Sequence, residues 1–172
     1  MNVKFLNPFV EAAYEVLKAE TRIEVNRGEL SLDKSPYQTD DVTVIIALVG
    51  AVEGTVFYSM NEATASNFAT LILGEEQHLA DSLAQSGIAE LGNVITGRAT
   101  VLLAQAGYEA NISPPTLLLG RGATISTLDF PRLVVPLVSE SGTLMIHIAL
   151  REGASRSAKT SMIAVPDKPN VI

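Results

Sequence analysis

Two stretches of this chain read as copies of one another. Ala47-Leu48-Val49 followed by Gly54-Thr55-Val56-Phe57-Tyr58 lines up with Pro136-Leu137-Val138 followed by Gly142-Thr143-Leu144-Met145-Ile146, two strand-turn-strand units roughly 88 residues apart. An apolar, β-branched run, a glycine-bearing turn and a second such run is the pattern of an antiparallel hairpin. An isolated hairpin is marginal in water, so the two copies are expected to share one sheet.

A helical pattern precedes each copy. Asn7-Pro8 reads as an N-cap followed by a proline at the first helical position, and Phe9, Ala12, Ala13, Val16 and Leu17 recur on one face. Ile23, Val25, Leu30 and Leu32 alternate weakly before Val42–Val49, which is expected to be a strand buried on both faces, with Thr55–Met60 as its partner and Gly50 to Gly54 as the turn. Asn61 is placed to cap a short helix ending at Leu71-Ile72-Leu73, with Gly74 just past its end. In the second half a helix is expected from about Leu79 to Ala106, stopped by Gly107, and Pro114-Pro115-Thr116-Leu117-Leu118-Leu119-Gly120 reads as an edge strand or crossover. Strands follow near Ala123–Leu128, Leu133–Val138 and Thr143–Leu150. The expected fold is α+β: a sandwich of internally duplicated helix plus antiparallel-strand units sharing one sheet, with helices packed on it. Residues 1–152 form the domain, and 153–172, rich in Ser, Lys and Pro without apolar periodicity, read as a flexible C-terminal tail.

Composition narrows the chemistry. Hydrophobic residues make up 47% of the chain and charged residues 18%, enough for one packed core. Lys+Arg 12 against Asp+Glu 19, a net charge of −7, does not supply the basic patch of a phosphate-backbone binder, so no nucleic-acid partner is expected. The absence of cysteine excludes a disulfide framework, a thiolate nucleophile and a Cys-bound zinc. Two histidines far apart, His78 in a loop and His147 in a strand, argue against a His-based metal site. Arg121-Gly122 reads as a turn, far from any phosphate-loop spacing. No apolar run approaches the ~20 residues of a membrane span, and Met1–Val10 lacks a signal-peptide h-region, so a cytoplasmic protein without membrane insertion is expected. Chemistry is left to carboxylates, amides or hydroxyls.

The segment Ile88-Ala89-Glu90-Leu91-Gly92-Asn93-Val94-Ile95-Thr96-Gly97-Arg98-Ala99 concentrates those groups. On a helix, Ile88, Leu91, Ile95, Ala99 and Leu102 form an apolar stripe, while Glu90, Asn93 and Gly97 stand together on a different face. A helical glycine costs about 1 kcal/mol relative to alanine, so Gly97 calls for an explanation. Spacing leaves two open: Gly97 packs closely on the sheet behind a solvated Glu90 and Asn93, or its missing side chain lets another molecule approach a displayed carboxylate and amide.

At these residues the chain resembles the CheC/CheX/FliY family of chemotaxis phosphatases, nearest to its CheX branch. The active-site helix of that family carries Glu-x-x-Asn and a glycine four residues on, matched by Glu90, Asn93 and Gly97. Asn7-Pro8-Phe9, Ile112-Ser113-Pro114-Pro115-Thr116 with Gly120, and Leu133-Val134-Val135-Pro136 ahead of Ser139-Glu140-Ser141-Gly142 extend the resemblance over about residues 3–152. It implies a CheC/CheX-like sandwich and a protein aspartyl-phosphate phosphatase that ends a chemotaxis signal by hydrolysing the phosphoaspartate of a CheY-like response-regulator receiver domain. It implies catalytic roles for Asn93, which orients the attacking water, and for Glu90, which pairs with the receiver's lysine and docks the helix. Gly97 and Arg98 complete the docking face. The chain itself is expected to hold no cofactor and no metal, Mg²⁺ being carried by the receiver, and to form a homodimer by pairing strand edges. Aligning Glu11 with Glu90 puts Tyr14 opposite Asn93 and Lys18 opposite Gly97, so one site is expected rather than two. Arg98 stands where many relatives have a small polar residue, and it bears on which partner is accepted. Two other readings compete: a non-catalytic module that binds a response regulator or the flagellar switch, and an unrelated small-molecule-binding domain, which an apolar pocket away from Glu90 would favour.

Overall fold

The computed structural model describes residues 3–128 and 130–154, so nearly all of the expected tail, 155–172, lies outside the described residues. A tight helical turn at Val3–Phe5 leads into α1 (Leu6–Thr21), which begins ahead of Asn7. The N-cap position is Phe5 rather than Asn7, without a capping side chain. Burial of Phe5 and Leu6 draws the chain into the helix early, and Pro8 is tolerated because first-turn N–H groups have no intrahelical acceptor. The expected apolar face of α1 is buried throughout.

Short strands β1 (Asn26–Arg27), β2 (Ser31–Asp33) and β3 (Tyr37–Gln38) precede the first hairpin, β4 (Val42–Gly50) and β5 (Val52–Met60). Helices α2 (Glu62–Leu73) and α3 (Ser82–Gln105) follow, then β6 (Ala110–Ile112), β7 (Thr116–Leu119), β8 (Thr124–Ile125), β9 (Arg132–Ser139) and β10 (Gly142–Glu152). The main sheet is antiparallel in the order β1-β9-β10-β5-β4-β6, with β2 also on β9 and β7 also on β4, while β3 and β8 pair separately. The fold is thus α+β, one large sheet with helices packed on it, and the extended segment after Pro115 is an edge strand on β4.

Some expected boundaries move. Only Ala51 separates β4 from β5, so Gly50 and Val52 to Gly54 belong to strands rather than to a turn. The helix expected from Leu79 starts at Ser82, and the stretch 123–128 yields two strand residues. β4 is buried on both faces only at its start: Val42, Val44, Ile46 and Leu48 enter the core, while on the other face Thr43 is buried, Ile45 and Ala47 are half-buried and Val49 is 66% exposed. The caps of α2 are as expected, Asn61 accepting from the Thr64 N–H at 2.8 Å and Gly74 turning left-handed at φ 77°.

The duplication becomes a symmetry of the sheet. The two hairpins, β4–β5 and β9–β10, join through β5 and β10 at the centre, where Tyr58 faces Ile146. Those two residues are the ones the repeat equates, so a pseudo-twofold axis passes between them. The repeated glycine is needed in both copies, since Gly54 and Gly142 have φ of 137° and 125°, which side chains rarely adopt. Helices α1 and α3 supply buried residues to one core with the inward faces of the sheet.

The opposite face of the sheet is partly roofed by the β3 and β8 segments. The Tyr37 ring lies 4.5 Å from His147 and 5.6 Å from Phe57 between centroids. Buried Arg132 donates to the Ser35 carbonyl at 2.9 Å and to Asp33 Oδ2 at 2.7 Å. His147 is buried with its Nε2 3.0 Å from Ser59 Oγ, and desolvation, aided by the Arg132 charge, pushes its pKa down to about 3. The unfolded chain binds a proton at this imidazole near pH 6.5, whereas the folded protein does not until far lower pH. Stability should therefore fall as pH drops below 6.5, approaching about 1.4 kcal/mol per pH unit, and His147→Gln should flatten that dependence between pH 6.5 and 4.5 in urea denaturation.

Candidate active site

Helix α3 sits on the sheet through a small residue and a pair of hydroxyls. Ile88, Leu91, Ile95 and Ala99 are buried as expected, but Leu103 continues the stripe, and Leu102 is only half-buried. At Gly92 an added Cβ would come 2.9 Å from Val44 Cγ1 and 3.1 Å from Tyr58 Cδ2, so the helix lies too close to β4 and β5 for a side chain there. Thr96 donates to the Gly92 carbonyl at 2.8 Å, which leaves its oxygen to accept from the Tyr58 hydroxyl, also at 2.8 Å. Complete burial pushes the Tyr58 pKa up, so the phenol remains a donor.

With Gly92 and Thr96 turned to the sheet, Glu90, Asn93 and Gly97 face outward. Glu90 is exposed and Asn93 half-buried. Asn93 Nδ2 donates to Glu90 Oε2 across 3.4 Å, a long, weak hydrogen bond. A carboxylate only accepts, so this contact turns the amide nitrogen toward Glu90 and leaves Asn93 Oδ1 available as an acceptor. Around Gly97 an added Cβ would meet no atom of the described residues within 4 Å. Close packing on the sheet is the property of Gly92, and nothing within the fold requires a glycine at Gly97.

Arg98 flanks this face and is engaged with α1. Its Nε and Nη2 donate to the two carboxylate oxygens of Glu15 at 2.5 and 3.2 Å. The hydrogen bond from Arg98 holds Glu15 below the usual carboxylate range, and Glu15, with Glu11 adding to it, raises the guanidinium in turn. On α1 the aligned residues form no second carboxylate–amide pair: Glu11 and Lys18 are exposed, and Tyr14 is partly buried against the core. Among the described residues no three His, Asp or Glu side chains converge as a metal-ligand set. Among the same residues no helix is long and apolar enough to cross a membrane.

Sequence reasoning passed over Gly92, Tyr58, Thr96 and Glu15. A glycine and a threonine four apart on the otherwise apolar side of α3 were the available signal for the first and third; the partners on β5 and α1 carry no local signature. Two cavities bear on the small-molecule alternative. One, of about 420 Å³, is an apolar groove between α2 and α3 whose wall includes Glu90, so it adjoins the carboxylate–amide pair. The other, of about 310 Å³, lies away from Glu90 beside Phe57, Phe130 and Arg151.

Comparison with known proteins gives the family of the chain and agrees with its fold. The profile of the family described as chemotaxis phosphatase CheX matches residues 42–138, a span that includes Glu90, Asn93, Gly97 and Arg98. The CheY-P phosphatase CheX of Thermotoga maritima is 27% identical over 155 residues, covering 89% of this chain and 99% of that protein. A CheC-like superfamily protein from Shewanella sp. PV-4 is 30% identical, with a TM-score of 0.78 over 88% of this chain and 99% of that one. The CheX–CheY–BeF₃–Mg²⁺ complex from Borrelia burgdorferi matches at 27% identity, with a TM-score of 0.75 over 88% of this chain and all of that one (100%).

Gly92 and Gly97 of α3 should respond oppositely to alanine. Gly97→Ala should raise stability by roughly 0.5–1 kcal/mol, because helix propensity improves and nothing is displaced. Gly92→Ala should lower it by about 1–3 kcal/mol by forcing α3 off Val44 and Tyr58, a difference read from urea midpoints.

Proposed function

The chain belongs to the CheX family of chemotaxis phosphatases, and we propose that it hydrolyses the phosphoaspartate of a CheY-type receiver domain. The observation that carries this reading is a carboxylate and an amide, Glu90 and Asn93, side by side on an exposed helix face next to a glycine whose missing side chain nothing in the fold requires. An acyl phosphate is already activated, so its hydrolysis asks mainly for a water held in line with the phosphorus and for charge balance on the phosphoryl oxygens. The receiver brings the second as its own Mg²⁺ and lysine; the complex of a relative with CheY, BeF₃ and Mg²⁺ supports the part given to the metal.

This chain supplies the first. Glu90 accepts a charge-assisted hydrogen bond from the receiver's lysine, which docks α3 against the phosphorylation site. Asn93 enters that site, and its Oδ1 accepts a hydrogen bond from the attacking water while Glu90 holds the amide nitrogen. Water oxygen bonds to phosphorus, the phosphorus–aspartate oxygen bond breaks, and the products are inorganic phosphate and the free aspartate. Gly97 leaves room for the receiver backbone, and Arg98, clamped by Glu15, borders the docking face. We place this work in the cytoplasm and in a homodimer built on the sheet edges, where the short β1 and β2 end one side and β6 and β7 the other. Light scattering should then return twice the chain mass.

The deciding measurement is the dephosphorylation rate of a Mg²⁺-bound, phosphorylated CheY-type receiver alone, with this protein, and with its variants. The parent should accelerate the reaction. Asn93→Ala should lose about 10²–10³-fold in rate, roughly 2.7–4 kcal/mol, with affinity falling much less, whereas Glu90→Ala should lower both. A parent that binds the phosphorylated receiver but leaves the rate at baseline would be a non-catalytic docking module. Absence of binding would remove the receiver from consideration.

A further inference from the structure

Beside the carboxylate–amide pair, α3 borders a groove. Leu83, Gly87, Glu90 and Val94 fall on one outward stripe, and with Ile72 and Leu73 at the end of α2 they line the groove of about 420 Å³. Leu83 is 52% exposed and Val94 37%, although both are large apolar side chains on a regular helix. Gly87 is a third glycine in the helix interior, and a Cβ there would make only ordinary contact with Leu73 Cδ1 at 3.9 Å. Neither close packing nor a special backbone angle explains it; its effect is to deepen the groove. Glu20, from the last turn of α1, and Glu90 also line this space, so two acidic residues border a mostly apolar groove.

We infer that this groove receives an apolar side chain of the receiver carried next to a basic residue, and so selects the receiver whose phosphoaspartate is hydrolysed. The inference rests on the phosphatase reading. A partner whose lysine reaches Glu90 while its active site takes Asn93 lies against the residues one turn away on the same stripe, Gly87 and Val94, which line the groove. The margin carboxylates favour a cation beside the inserted side chain, and the volume is at the small end for ligand pockets, suited to a side chain. Buried apolar anchors within a polar margin are where binding energy concentrates in protein interfaces.

The test is steady-state dephosphorylation of the phosphorylated receiver by the parent, Leu83→Met, Leu83→Ser and Leu83→Lys, with Asn93→Ala as the chemical control. Half-exposed Leu83 can be replaced without loss of folding, checked by unchanged melting temperatures. Leu83→Ser should raise KM about tenfold with kcat within about twofold, Leu83→Lys should raise KM further, and Leu83→Met should restore the parent value. Unchanged KM in Leu83→Ser and Leu83→Lys, in a protein whose activity Asn93→Ala abolishes, would overturn the groove's role and leave the phosphatase reading intact. A parent without activity would overturn both.

Discussion

The seating of α3 on β5 decides what the rest of the molecule can do. Gly92 lets the helix approach Val44 and Tyr58 so closely that no side chain fits, and the Tyr58–Thr96 hydrogen bond fixes its rotation about its own axis. A helix has one rotational setting at a time. Once Gly92 and Thr96 face the sheet, Glu90, Asn93 and Gly97 must face away from it. Tyr58 also stands at the pseudo-twofold centre of the sheet opposite Ile146, where the strands on either side are fully paired and least able to shift. The displayed pair is thereby held by a central strand paired on both sides.

On the proposed reading, that arrangement is how so modest a set of groups would suffice. Glu90 and Asn93 lie on a long regular helix rather than on a loop, and positioning, not acid–base strength, is what in-line attack on an acyl phosphate demands. The weak contact between them orients the amide without burying it, so its acceptor stays open to water. The two helices of the duplicated fold have diverged in use. α3 keeps carboxylate, amide and glycine, while α1 spends Tyr14 on packing against the core and Glu15 on holding Arg98, so that one helix braces the other.

The far side of the sheet follows a different logic. Short β3 and β8 cover it through Tyr37, which meets Phe57 and His147, and through the buried Arg132, which ties the β2 region to β9. Neutral His147 within this layer makes the fold's stability sensitive to acid, although the carboxylate–amide pair lies on α3, which packs into the core on the opposite face of the sheet. The acid-sensitive layer and the displayed carboxylate–amide pair thus lie on opposite faces of the sheet.

Much of this was legible in the chain alone wherever a property was local or repeated. The duplicated hairpins, the apolar face of α1, the caps Asn61 and Gly74, and the grouping of Glu90, Asn93 and Gly97 on one helix face follow from periodicity and turn chemistry, which neighbouring residues determine among themselves. Resemblance to a known family implied a use for such a grouping. Tertiary structure decided the rest. Burial of Phe5 and Leu6 overrode the Asn7 cap, because hydrophobic burial outweighs one capping hydrogen bond. Which glycine of α3 packs and which stands bare, and which carboxylate answers Arg98, depend on Val44, Tyr58 and Glu15, residues dozens of positions away. The groove beside Glu90 exists only because α2 ends against α3. Spacing along one helix specifies which side chains share a face, but the direction that face points is fixed by what the opposite face is packed against.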